Sequence, residues 1–260
     1  MATGNGIFYL GLISNEQILA LGVAIMLAGW SIALYAMTRV LITATAGQEK
    51  RHTVAAHIAV LSGWLGIASY MLWILTQNSF MLDFSRSAGI WFFLTPIVII
   101  VSHRMIPFFS SRVLDNYVMI RPYWLLWLML ACSAGHGLLQ IMGLLPYYWL
   151  VDLPFAISAL YLSFRWGFLR SFSVSLLAVL HISFLWLGIS MLLFGLQSLT
   201  LMLSANELFI GGLAPLHALT IGYFASMVLG MVSRVTLGHS GRPLVLDNFT
   251  WLLFLGFQLT

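Results

Sequence analysis

The sequence predicts an all-α protein, a polytopic bundle of transmembrane helices, and three observations point to it. Of its 260 residues, 61% are hydrophobic and only 7% are charged, against about 25% charged in an ordinary soluble domain. Apolar stretches of roughly 20 residues, the length that crosses a bilayer as a helix, recur along the chain with short polar breaks between them. A membrane barrel would instead show strands of about 10 residues alternating apolar and polar, a pattern these segments lack. Helices also satisfy every backbone hydrogen bond within one segment, which hydrocarbon demands.

Hydropathy gives about eight segments, at 16–43, 53–76, 88–109, 122–145, 147–165, 171–197, 205–236 and 249 to the end. The last would rise about 18 Å as a helix, less than the roughly 30 Å hydrocarbon core. The expectation is therefore that Thr260 falls inside a span and that the sequence is a fragment of a longer protein. With no linker, soluble insert or internal repeat, the chain reads as a single transmembrane domain over 1–260.

Charge placement predicts orientation. Arg39, Lys50 and Arg51 follow the first segment; Arg104, Arg112 and Arg121 surround the end of the third; Arg165 and Arg170 follow the fifth; Arg234 and Arg242 follow the seventh. The opposite side carries Arg86 with Glu16, Asp83, Asp152 and Glu207. Under the positive-inside rule the arginine-bearing loops are cytoplasmic and the N-terminus is outside. The net charge of +4 thus reflects topology in a lipid bilayer, and no nucleic-acid partner is expected. Residues 1–15 contain no basic residue, unlike a secretory signal. Tyr123, Trp124, Tyr147, Tyr148 and Trp149 stand near segment ends, where amphipathic rings favour the headgroup layer.

Ionisable groups inside spans are costly and face bundle interiors or cavities, which makes the histidines candidates for chemistry. Counted from the segment starts, His136, His181 and His217 fall near mid-membrane, whereas His57 and His103 lie nearer the cytoplasmic ends, and His52 and His239 lie in or beside loops. Three mid-plane imidazoles on three helices suit a haem or metal site; the alternative for each alone is a hydrogen bond to a neighbouring helix. The single cysteine, Cys132, excludes a Cys-x-x-Cys-His attachment, so any haem would be b-type, held by axial ligands and packing.

Helical spacing assigns faces. Cys132, His136 and Gln140 form one polar stripe. His217, Phe224 and Met231 share a face opposite Gly222, Ser226, Gly230 and Ser233, which predicts a helix buried on both sides with His217 turned inward. Met227, Met231 and Cys132 are candidate soft donors to copper, although most of the 13 methionines must serve packing. Arg104 and Arg234 are candidate partners of haem propionates; topology and headgroup binding suit Arg112, Arg121 and Arg242 better. Acidic residues read almost wholly into loops, which argues against a transporter built on buried carboxylates. Pro96 and Pro215 are expected to kink their spans.

Two stretches carry more than composition: His217 to Leu244, HALTIGYFASMVLGMVSRVTLGHSGRPL, and Ser102 to Arg112, SHRMIPFFSSR. Both resemble signature segments of the NnrS family. The resemblance implies a bacterial inner (cytoplasmic) membrane protein that carries haem and copper and helps cells withstand nitric oxide. Nitric oxide is then the expected ligand, with an unidentified electron donor if the protein turns over substrate. It also implies additional spans in longer members, and no counterpart of an upstream His-Ala-His-Glu type motif is present.

By motif position the signature residues are His103, Arg104, Pro107, His217, Arg234, Thr236, His239, Arg242 and Pro243. Depth selects His136, His181 and His217; motif membership selects His103, His217 and His239. His217 satisfies both, and His103 facing His239 would make a second site. The rival readings are a nitric oxide reductase or oxidase, and a transporter or structural subunit without metal.

Overall fold

Three helices begin where the sequence supplies a side-chain cap. Asn15, Asn78 and Asp247 each accept a backbone N–H from two or three residues ahead, opening three of the helices. The computed structural model describes residues 1–44, 49–241, 243 and 245–259. Its elements are α1 (Ala2–Ile13), α2 (Glu16–Thr43), α3 (Arg51–Thr76), α4 (Ser79–Val113), α5 (Tyr123–Ile141), α6 (Trp149–Arg165), α7 (Ser175–Leu203), α8 (Ala214–His239) and α9 (Asn248–Phe257). No strand occurs among the described residues. Six helices, α2, α3, α4, α5, α7 and α8, are long and apolar enough to cross a membrane, and the chain is a multi-pass helical membrane protein.

The expected count of about eight is therefore slightly high. The fifth segment forms α6 of 17 residues and the eighth forms α9 of 10, rises of about 25 and 15 Å. Conversely, the third span begins nine residues earlier than hydropathy suggested. Asp83 and Arg86 lower the average there, and they lie on an exposed face, paired at 3.5 Å.

The chain folds as two compact units, Met1–Ile100 with Gln140–Gly143, and Val101–Leu139 with Leu144 onward. In the first, α1 doubles back on α2 through glycines seven residues apart. Gly4 lies against Met26, Gly11 against Leu19, Gly22 against Phe8 and Gly29 against Met1. A Cβ on Gly22 would come within 2.5 Å of the Phe8 backbone nitrogen. Along α3 the small residues Ala55, Ala59, Gly63, Gly66 and Ser69 form a buried stripe, with Gly63 against Trp30 and Phe93 and Gly66 against Ala88. Small residues let helices approach where lipid removes any hydrophobic drive between them. Indole N–H groups add bonds across α2 and α3, from Trp30 to the Val60 carbonyl and from Trp64 to Ser31.

In the second unit α7 is central. Its residues Leu176 to His181 are buried consecutively, so no face of that part is left to solvent or lipid. Gly188 and Gly195 receive Leu160 and Leu153 of α6, while Gly222 and Gly230 of α8 receive Trp186 and the Val179–Leu180 pair of α7. The small face read from the sequence on α8 is thus a packing face. Ser226 on it accepts a bond from Gln258, which itself accepts one from Trp186.

Pro215 is not the mid-span kink expected. Pro215 stands in the first turn of α8, where a missing N–H has no helical partner to lose. Pro96 follows a π-helical stretch, Ala88–Leu94, that ends with Thr95 bonded back to Ile90. A second π stretch, Ala218–Ala225, lies in α8.

The α1–α2 hairpin gives a direct test. Gly22→Leu is expected to cost about 1–3 kcal/mol through overpacking, whereas Gly6→Leu, at a position with no neighbour within 4 Å, should leave stability unchanged. Unfolding midpoints in detergent check this; equal losses from both variants would remove the hairpin.

Candidate functional site

The turn after α5 sets up a buried polar contact. Gly143 takes a positive φ of 69° and a 3-10 turn follows at Leu145–Tyr147, so α6 returns alongside α5. At the other end of the pair the Trp166 indole donates to the Ile120 carbonyl. This return brings Asp152, in the first turn of α6, against His136 of α5, with Nδ1 and Oδ1 2.7 Å apart and both side chains buried. The expectation that acidic residues sit in loops fails at Asp152. It follows Tyr147, Tyr148 and Trp149 and so reads as an interfacial loop, but its charge lies at a helix N-terminus, where the macrodipole favours it.

With Asp152 as a carboxylate, its Oδ1 accepts the Nδ1–H of the imidazole. The Tyr148 and Phe194 rings stand 4.3 and 5.1 Å from the His136 ring, and Cys132, one turn earlier on α5, is buried as well. The second Asp152 oxygen, Oδ2, is buried without a hydrogen-bond partner.

The other two histidines of the expected mid-plane layer are elsewhere. His181 lies six residues into α7, its Nε2 3.0 Å from the Ser110 hydroxyl of α4. His217 lies only three residues into α8, because residues 205–213 form turns, with positive φ at Ala205, Asn206, Gly211 and Gly212. Its side chain is exposed rather than turned inward. It lines an open cavity of about 310 Å³ with Trp186, Ala218, Phe257 and Gln258. The π stretch explains the lost register: each extra residue in a turn rotates what precedes it by about 100°, so His217 leaves the face of buried Phe224. Among the described residues no three His, Cys, Asp or Glu side chains form a metal-binding group.

The motif histidines separate as well. His103 is buried with its ring 5.6 Å from Tyr123 and 5.8 Å from Trp166. His239, in the last turn of α8, is exposed and lines a different space. That space, about 340 Å³, is bounded by Phe108, Phe109 and Arg112 of α4 and by Arg234, Val235, Gly238 and His239 of α8. The two sequence stretches quoted above therefore meet, and Ser102 and Tyr223 join them again through a buried 3.2 Å hydroxyl contact. Arg234 is buried with its guanidinium 4.0 Å over the Phe109 ring. Arg104 is exposed and outside this lining. Met227 is buried and Met231 half-buried along α8; Arg242 lies outside the described residues.

A family model described as NnrS protein matches residues 2–260. Comparison with curated proteins gave no match, and comparison with solved structures gave none.

Removing Asp152 leaves the buried imidazole N–H without its acceptor, at a cost of about 1–3 kcal/mol. Asp152→Ala is expected to destabilise the protein by that amount, and Asp83→Ala, which breaks a pair more than 60% exposed on both sides, by no more than about 1 kcal/mol. Equal midpoint shifts in detergent unfolding would contradict the burial of the His136 pair.

Proposed function

The chain belongs to the NnrS family, and on that premise we propose that it binds haem and copper in the inner membrane and takes part in the response to nitric oxide. The His136–Asp152 pair carries this reading. A histidine that ligates a metal usually gives its other ring N–H to a carboxylate or carbonyl, which fixes the tautomer and strengthens the ligating nitrogen. Here that arrangement is buried among apolar helices, where an unused carboxylate would be expensive.

The donors fit the implied groups in a specific way. His136 would hold haem iron or copper through its imidazole, and Cys132, on the same face of α5, would offer copper a soft sulfur. Two such donors are fewer than the four of a closed structural cage. His217, with its open cavity, and His103, His181, His239 and Met231 are the further ligand candidates. When bound, a reduced haem iron supplies the position at which nitric oxide attaches.

Orientation follows from the same unit. Trp166 bonded to Ile120, Arg121 to the Arg104 carbonyl and Arg170 to the Asp115 carbonyl gather the basic residues at one end. By the positive-inside rule we take that end to be cytoplasmic, and the charge placement along the sequence supports an N-terminus outside.

The test is an absorption spectrum with iron and copper analysis on protein purified from haem- and copper-replete cells, before and after nitric oxide is added to the reduced form. A haem spectrum that shifts, with copper present, is the expected result; a colourless, metal-free protein overturns the reading. His136→Ala should lower bound iron or copper, and Asp152→Asn should weaken metal affinity about 10–100-fold, both without loss of membrane insertion.

A further inference from the structure

We propose that the cavity between the ends of α4 and α8 is a binding site for the phosphate of an anionic phospholipid. The proposal starts from two cations held facing one space. Arg112 is centred 5.2 Å over the Phe108 ring and Arg234 4.0 Å over the Phe109 ring, and the two rings are 5.5 Å apart. Stacking uses the flat face of each guanidinium and leaves its N–H edge for an oxyanion. Other arginines at this end use N–H groups on backbone carbonyls, Arg121 on Arg104 and Arg170 on Asp115.

Charge and depth select the ligand. Among the described residues no carboxylate lines the cavity, and neither Arg112 nor Arg234 forms an ion pair. Arg234 is only 6% exposed, and a buried cation without a counter-charge is costly. Arg112 lies next to the last residue of α4, and Arg234 lies five residues before the end of α8. Both therefore lie close to the ends of membrane-length helices, where a bilayer places its phosphates. Two guanidiniums hold a phosphate through paired charge-assisted hydrogen bonds, and basic pockets between transmembrane helices on the cytoplasmic side bind such headgroups. Val235 and the phenylalanines offer apolar surface for the adjoining acyl chain.

This inference stands apart from the metal reading and is tested by a different signal. Delipidated full-chain protein in detergent is titrated with phosphatidylglycerol, with phosphatidylcholine and with inorganic phosphate, following the unfolding midpoint and, by native mass spectrometry, retained lipid. Phosphatidylglycerol alone should raise the midpoint. Arg112→Gln, at an exposed position that spares the fold, should raise the half-saturating lipid fraction about tenfold, and Arg165→Gln, an equal charge change outside the cavity, should not. Equal responses to both lipids, a phosphate response as large as the lipid's, or an unchanged Arg112→Gln titration would overturn the proposal. Loss of bound haem in Arg112→Gln with an unaltered lipid response would assign the cavity to a haem propionate instead.

Discussion

Within hydrocarbon, helices gain no hydrophobic energy by touching one another, because lipid tails are as apolar as the side chains they replace. Cohesion then depends on close van der Waals approach, and close approach depends on the absence of a Cβ. The packing repeats this solution: Gly4 and Gly11 of α1 against Met26 and Leu19, and Gly22 and Gly29 of α2 against Phe8 and Met1, in the first unit, with Gly188 and Gly195 beneath two leucines of α6 in the second. Gly222 and Gly230 seat α8 on α7 in the same way. Two of the buried charges lie on helices held by these seams. The return of α6 on α7 holds Asp152 at the level of His136, and the α7–α8 seam holds the helix that carries Arg234.

Polar groups inside the bundle are then accommodated in a few ways. Serines such as Ser163 and Ser183 bond the carbonyl one turn back and cost their helix little. His181 and Tyr223 each share a buried contact with a serine of α4. Charged groups need more: Asp152 takes an imidazole, and Arg234 takes an aromatic face. The cost of burying a charge is what confines chemistry to so few positions, and it separates two sites of opposite character. One is a carboxylate-oriented imidazole suited to a metal, and the other is a pair of guanidiniums suited to an anion.

Much of this architecture is legible from composition and spacing. The segment read at 16–43 is α2 to the residue, and 53–76 misses only the first two residues of α3. The small-residue face of α8 is correctly a packing face. The failures have physical causes. α1 is rich in glycine and short, so a hydropathy window passes over it, although the same glycines make it pack. His217 lies away from mid-membrane because 205–213, which hydropathy reads as helix, forms turns, and because periodicity assumes 3.6 residues per turn throughout. The π stretch Ala218–Ala225 breaks that assumption.

What the amino-acid sequence determined unaided is what depends on local composition: helix rather than strand, the segments apolar enough to enter a membrane, and the gathering of arginines on alternate loops. These follow from transfer energies that each stretch carries regardless of its neighbours. Which polar groups meet was decided only by tertiary structure. His136 and Asp152 belong to different helices and meet because a glycine turn sends α6 back along α5. The arginine cavity joins residues 108–112 to 234–239 across more than a hundred residues of chain. Helical periodicity specifies a face on one helix but contains no information about which other helix that face will touch.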